Sequence, residues 1–252
     1  MMKKEEMGHN FLARLGKTRL RPGGKKGTDW LIANADFNKD KKVLEVACNM
    51  GTTAIGLASQ FGCQIEGVDL DEQALAKAQK NISEAKLDHL IHVQRANAMK
   101  LPFADNSFDI VINEAMLTML PVEAKQKAVA EYFRVLKPGG FLLTHDVMLL
   151  EPNSEAILAV LRDVINVSVT PLTKEDWKAL FKSAGFSNVD TYSGEMTLLS
   201  PKGMIHDEGV LGTLKIVRNA LKSENRATFK KMFKFFNDPQ NKLHFITVCS
   251  QK

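Results

Sequence analysis

With 252 residues, 44% of them hydrophobic and 25% charged, the chain is long enough to bury a large core and too apolar for a disordered tract. Its three cysteines, Cys48, Cys63 and Cys249, lack the paired spacing of a zinc site or a disulfide framework, so no metal is expected and a reducing, cytoplasmic compartment is. No apolar run reaches the length of a signal peptide or membrane span, and the net charge of +5 is concentrated in residues 1–26, which hold eight Lys or Arg against two Glu.

Helix-compatible stretches at 11–15 and 29–37, separated by Pro22-Gly23-Gly24, form an N-terminal basic arm or cap over residues 1–40. Strands and helices then alternate: strand 43–47, helix 53–61, strand 64–70, helix 72–85, strand 91–95. That βαβαβ order predicts a parallel sheet. The pattern continues with strand 108–113, helix 122–136, the stop Lys137-Pro138-Gly139-Gly140, strand 141–146 and helical turns at 154–167 and 174–184. Strand 189–197, a helical insertion reaching over 199–240 and strand 243–249 complete one expected domain spanning 1–252.

Two corners carry the chemistry. Val43-Leu44-Glu45-Val46-Ala47-Cys48-Asn49-Met50-Gly51 runs an apolar strand into a tight turn that opens onto a helix. Gln64-Ile65-Glu66-Gly67-Val68-Asp69-Leu70 is a second strand whose terminal carboxylate is suited to accept hydrogen bonds from ribose hydroxyls. Together they point to an adenosyl cofactor. Asp71 is the better helix cap, which leaves Asp69 for the ribose. A nicotinamide dehydrogenase would use the same corner, but its G-x-G-x-x-G pattern is absent from Ala47-Cys48-Asn49-Met50-Gly51-Thr52.

Four segments in order resemble the class I S-adenosylmethionine-dependent methyltransferases, particularly the small-molecule branch that includes quinone-biosynthesis methyltransferases. They are Glu45 to Gly51, Gly67-Val68-Asp69, Asn97-Ala98-Met99-Lys100-Leu101-Pro102-Phe103 before Ser107-Phe108-Asp109, and Arg134-Val135-Leu136-Lys137-Pro138-Gly139-Gly140. The resemblance covers residues 40–200 and the closing strand. It implies a Rossmann-like α/β fold with a seven-stranded, mostly parallel sheet, helices on both faces, and a last strand inserted antiparallel beside the fifth. It implies S-adenosyl-L-methionine as cofactor, held by Glu45, Ala47, Asn49, Gly51, Asp69, Leu70, Asn97, Ala98 and Asn113. Two departures stand out: Ala47 and Asn49 occupy positions where the family usually has glycine. Asn49 tolerates unusual backbone angles better than most residues, and Asn97 replaces a common acid while keeping an amide oxygen as acceptor.

Glu114 after the fourth strand, and His145 and Asp146 at the end of the fifth, sit at the carboxyl edge where open α/β sheets bind ligands. They are the candidate acid-base residues. Met116, Met119 and Met148 are candidate pocket-lining residues, and His9, Phe11 and Trp30 are candidates to close over the cofactor. His206-Asp207-Glu208 reads as a helix start, because adjacent residues project in different directions and make a poor metal cluster. The expected function is methyl transfer to a small-molecule acceptor by in-line displacement. A non-catalytic adenosyl-ligand binder is one alternative; an RNA methyltransferase using the basic arm as a phosphate clamp is another, and nucleic acid is the less expected partner. The insertion covers the acceptor pocket or forms a homodimer surface.

Overall fold

The computed structural model describes residues 6–152, 154–238, 240 and 242–252; Lys3, Lys4 and Glu5, the first charges of the expected arm, lie outside the described residues. The elements run α1 (Gly8–Leu15), α2 (Gly24–Ala33), β1 (Lys42–Val46), α3 (Thr52–Phe61), β2 (Gln64–Asp69), α4 (Glu72–Glu84), β3 (Ile91–Arg95), β4 (Phe108–Glu114), α5 (Val122–Val135) and β5 (Leu136–Leu149). They continue with α6 (Glu155–Ile165), β6 (Leu172–Thr173), α7 (Lys174–Ser183), β7 (Val189–Glu195), α8 (Pro201–Ala220), α9 (Ser223–Phe236) and β8 (Leu243–Gln251).

The sheet order is β3-β2-β1-β4-β5-β8-β7, with two-residue β6 pairing with β5. Strands β1 to β5 pair in parallel, and β8 lies antiparallel between β5 and β7. Central strands covered on both faces need continuous apolar runs, and Val43, Leu44, Ile110, Val111 and Ile112 are all buried. Strand order reverses between β1 and β4, so the crevice at their carboxyl ends is the expected ligand site of such a sheet.

Several elements differ from the sequence reading for physical reasons. β5 extends well past 141–146 because β8 pairs with it from Phe141 to Leu149. The stretch expected to stop the helix before β5 is strand in the structure, bent by a register shift opposite β4 and by Gly139 at φ 77°. α8 starts at Pro201, ahead of the helix start read at His206-Asp207-Glu208, because Ser200 caps it by accepting from Gly203 N, and it kinks at Gly209. His206-Asp207-Glu208 therefore lies inside α8. In the insertion, Met232 and Phe236 of α9 line a cavity together with Gly8, His9 and Leu12 of α1.

The basic arm is folded into the protein. The Lys17 ammonium is fully buried, 3.3 Å from Asp207 and 3.4 Å from Glu208 on α8. Glu208 also accepts from Thr18 N and Arg19 N, and Asp207 accepts from Lys25 N at 2.7 Å. α2 begins at Gly24, five residues before the expected start, and packs against β5, β7 and β8. Glycine makes that approach possible: a Cβ on Gly27 would lie 2.5 Å from His145 Cε1. Gly27→Ala should therefore displace α2 and cost about 1–3 kcal/mol, as overpacking does. Urea denaturation checks this; an unchanged midpoint would show that the helix gives way freely.

Candidate active site

The carboxyl ends of β1, β2 and β4 open into a cavity of about 310 Å³, roofed by α1 and the arm through His9, Thr18, Leu20 and Arg21. Its floor is the β1–α3 turn. Ala47, Asn49 and Gly51 have φ of 59°, 47° and 72°, so both non-glycine residues adopt the left-handed conformation that the turn demands. The turn is held from outside: Cys48 N donates to Val68 O, Asn81 Nδ2 to Met50 O, and Asn49 N to Asp69 Oδ2 at 2.9 Å. Gly51 is buried beneath Ala78 and acts through the turn's shape rather than by lining the cavity.

Asp69 sits at the cavity edge with one oxygen on Asn49 N and the other on Asp71 N. Each carboxylate oxygen has a second lone pair, so acceptor capacity remains for a ligand. Asp71 caps α4, accepting from Gln73 N and Ala74 N. Leu70, Asn97 and Ala98 line the same wall, and Asn97 Oδ1 already accepts from Met99 N. Their loop is anchored by Arg134, which donates to the carbonyls of Leu101 and Phe103 and pairs with Glu131 and Asp105.

Asn113, expected among the cofactor residues, is fully buried, donates to Thr144 Oγ1 on β5 and does not line the cavity, because its side chain alternates onto the sheet's far side from Glu114. Glu45 lines the floor and accepts from Ala54 N of α3 at 2.9 Å, tying strand to helix.

Glu114 is the most heavily bonded group of the site. Arg21 Nε lies 2.9 Å from Oε2, Thr53 Oγ1 donates to Oε2 at 2.8 Å, Thr28 Oγ1 donates to Oε1, and His145 Nδ1 lies 3.2 Å from Oε1. His145 Nε2 in turn accepts from Gly23 N at 3.0 Å, so both its nitrogens are engaged and its ring is buried. Glu114 and His145 are thus a fastening between arm and sheet, with no lone pair of the imidazole left for a substrate proton. Asp146 faces the other way. It accepts from Thr118 N and Val147 N and lines a second cavity, of about 90 Å³. Met116 lines the larger cavity and Met119 lines both, whereas Met148 is in the core. Of the three capping candidates His9 faces the cavity, Phe11 packs with the helices and Trp30 stacks on Tyr192. Arg21 escaped the sequence reading because an arginine among arm lysines carries no signal of the carboxylate it meets.

Glu45 and Glu114 divide one guanidinium between them. Burial opposes ionisation of Glu114, but Arg21, His145 and Thr28 outweigh it and hold its pKa at about 2. Burial and the neighbouring Glu114 charge push Glu45 up to about 8, against Arg21. Glu114 is therefore the ionised partner and Glu45 the protonated one at neutral pH.

The description "Methyltransferase domain" fits residues 43–140. An uncharacterized protein of Haemophilus influenzae is 76% identical over 100% of both chains. Methyltransferase GfsG of Streptomyces halstedii is 27% identical over 88% of this chain and 78% of its own length. Phosphoethanolamine N-methyltransferase 2 of Haemonchus contortus, solved with S-adenosyl-L-methionine, superposes with a TM-score of 0.77 at 18% identity, covering 97% of this chain and 56% of that one. The chain belongs to the class I S-adenosylmethionine-dependent methyltransferases. It is a methyltransferase enzyme, with S-adenosyl-L-methionine as its cofactor. A non-catalytic binder is thereby set aside, and the departures at Ala47 and Asn49 leave the turn's left-handed backbone intact.

Two outcomes are expected. Replacing a strained alanine at positive φ by glycine relieves about 1 kcal/mol, so Ala47→Gly should raise the denaturation midpoint; a lowered midpoint would mean the turn is not strained there. The carboxylate pair gives stability an opposing pH dependence. Glu114, depressed from 4.5 to about 2, contributes stability present above pH 4.5 and lost as pH falls toward 2. Glu45, raised from 4.5 to about 8, contributes stability present below pH 4.5 and lost as pH rises toward 8. The stability of the wild type should therefore fall between pH 5 and 8, and Glu45→Gln should flatten that limb; equal slopes in the two proteins would refute the assignment.

Proposed function

We propose that the enzyme methylates a small, largely apolar molecule seated in the second cavity, next to the cofactor cavity. The observation that supports this is the junction of the two: His9, Leu20, Ala115 and Met119 line both. The second cavity is otherwise built from side chains such as Leu12, Leu161, Ile165, Leu198 and Phe236.

The residues of the larger cavity fit an adenosyl ligand. Asp69 has acceptor capacity for ribose hydroxyls, Asn97 for an adenine amino group, and the Ala47-Cys48-Asn49 backbone borders the space for an amino-acid moiety. Bound S-adenosylmethionine supplies a methyl group on a sulfonium whose thioether leaves readily, so little covalent help is needed. The protein's task in an in-line displacement is alignment and exclusion of water. Arm and α1 do the excluding here, fastened by Arg21 and Lys17 to Glu114 and Asp207.

Burial of Lys17 and Arg21 favours this structural role of the arm over an RNA phosphate clamp. Three buried, unpaired cysteines support the cytoplasm as the setting, and among the described residues no helix is long and apolar enough to cross a membrane.

Calorimetric titration with S-adenosylmethionine and S-adenosylhomocysteine tests the cofactor assignments. Asp69→Ala should weaken binding at least about tenfold, the loss of one charge-assisted hydrogen bond. Asp69→Asn, which keeps one acceptor, should fall between. Unchanged affinity in both variants would remove Asp69 from the ribose site.

A further inference from the structure

After its kink at Gly209, α8 turns an apolar strip toward solvent. Val210, Leu211, Leu214 and Leu221 are between 59% and 82% exposed, a grouping that scattered surface residues do not show. With about 3.6 residues per turn, Val210, Leu214 and Leu221 line up along one side of the helix. Lys215 and Arg218 lie beside them with Leu211 between, and Lys222 follows at the helix end. Ile216 and Ala220 take the opposite, buried side, in the cluster that α8 shares with α1, α6 and α9.

The charge on this surface is one-sided. Residues 209–236 hold seven Lys or Arg against the single acid Glu224. Lys231 pairs with Asp163 at 2.8 Å; among the described residues Lys215, Arg218, Lys222, Arg226, Lys230 and Lys234, all exposed, form no ion pair. Arg226, Lys230 and Lys234 recur every four residues and so make one row along α9. Cations without counter-charges raise a positive potential that favours an anionic partner. A second copy of the chain is disfavoured, because a two-fold interface would set the same cations against each other. RNA would neutralise the charge but leave the Val and Leu strip in water, and α8 offers no aromatic ring for bases to stack on.

We propose that the exposed face of α8, assisted by the basic row of α9, docks the enzyme on an anionic lipid surface. Val210, Leu211, Leu214 and Leu221 enter the boundary between headgroups and acyl chains, and the basic residues meet phosphate headgroups. Apolar burial and charge then contribute separately, and only the second is screened by salt. The contact is peripheral: among the described residues no helix is long and apolar enough to cross a membrane. α9, which packs on α8, lines the second cavity with Met232 and Phe236, so the docking face and that cavity share one helical pair. Docking does not depend on the methyl-transfer reading.

Co-sedimentation of the full-length protein with two kinds of vesicle tests this: phosphatidylcholine alone, and phosphatidylcholine mixed two to one with phosphatidylglycerol. The protein should partition onto the mixed vesicles in preference, and less so as salt is raised. Leu211→Gln with Leu214→Gln should weaken that partitioning at least about tenfold at unchanged charge. Arg218→Gln with Lys222→Gln should weaken it about fivefold for each charge removed. Hydrogen exchange needs no variant: in the wild type the amides of 210–222 should slow when the mixed vesicles are added. Equal partitioning onto both vesicles, none onto either, an unchanged affinity of the leucine variant, or unaltered exchange across 210–222 would overturn the proposal. Two other results would overturn it in favour of a different occupant. One is mixed-sequence RNA binding more tightly than the vesicles; the other is a dimer in analytical ultracentrifugation that the leucine variant abolishes.

Discussion

A buried carboxylate needs partners, and the way Glu114 obtains them organises the site. It ends β4 on the crevice between β1 and β4, where ionisation would be costly without compensation. Its donors come from four segments: Arg21 from the arm, Thr28 from α2, Thr53 from α3 and His145 from β5. Satisfying one charge therefore requires the arm to be folded across the sheet edge, which is also what roofs the cofactor cavity. Glu45 fits the same logic by remaining protonated, since one guanidinium cannot neutralise two buried acids.

The turn over which the cofactor sits is made rigid by a second route. Glycine would supply left-handed backbone at no steric cost, yet Ala47 and Asn49 hold it at φ of 59° and 47°. Contacts from outside the turn, at Val68 O, Asn81 Nδ2 and Asp69 Oδ2, determine its shape more than the intrinsic preferences of its residues do. A ligand meets a surface whose strain is already accommodated, and such stored strain is found at functional sites.

The alternating strands and helices from β1 to β5 were legible because apolar stretches such as Val43-Leu44 and Ile110-Val111-Ile112 are bounded by turn residues or a cap such as Asp71. β8 between β5 and β7 was legible through family resemblance alone, because strand order is a long-range property. The α2 start was misread because glycines usually mark a break, whereas Gly24 and Gly27 here permit close docking on Asp207 and His145. Glu114 and His145 drew attention by standing at strand ends, which sets their position in the crevice but not their partners. Three of those partners, Arg21, Gly23 and Thr28, come from residues 21–28, a segment whose charge reads as solvated until its fold is known. Asn113 shows the converse: one residue before Glu114, it lies on the opposite face and bonds to Thr144.

The segment that fits the family description, 43–140, supplies most of the larger cavity but little of the second one. There it contributes Ala115, Thr118 and Met119 at one end; the walls come from α1, β5, α6 and α9, with Leu12, Val147, Leu161, Ile165, Met232 and Phe236 among them. On the proposed function, cofactor chemistry and acceptor choice are thus carried by different parts of one chain. The two parts meet on α1, where His9 lines both cavities, and α1 packs on α6 and α8. Under the proposed function, acceptor selection depends on how the helices around the sheet edge pack, while the sheet carries the cavity proposed for the methyl donor.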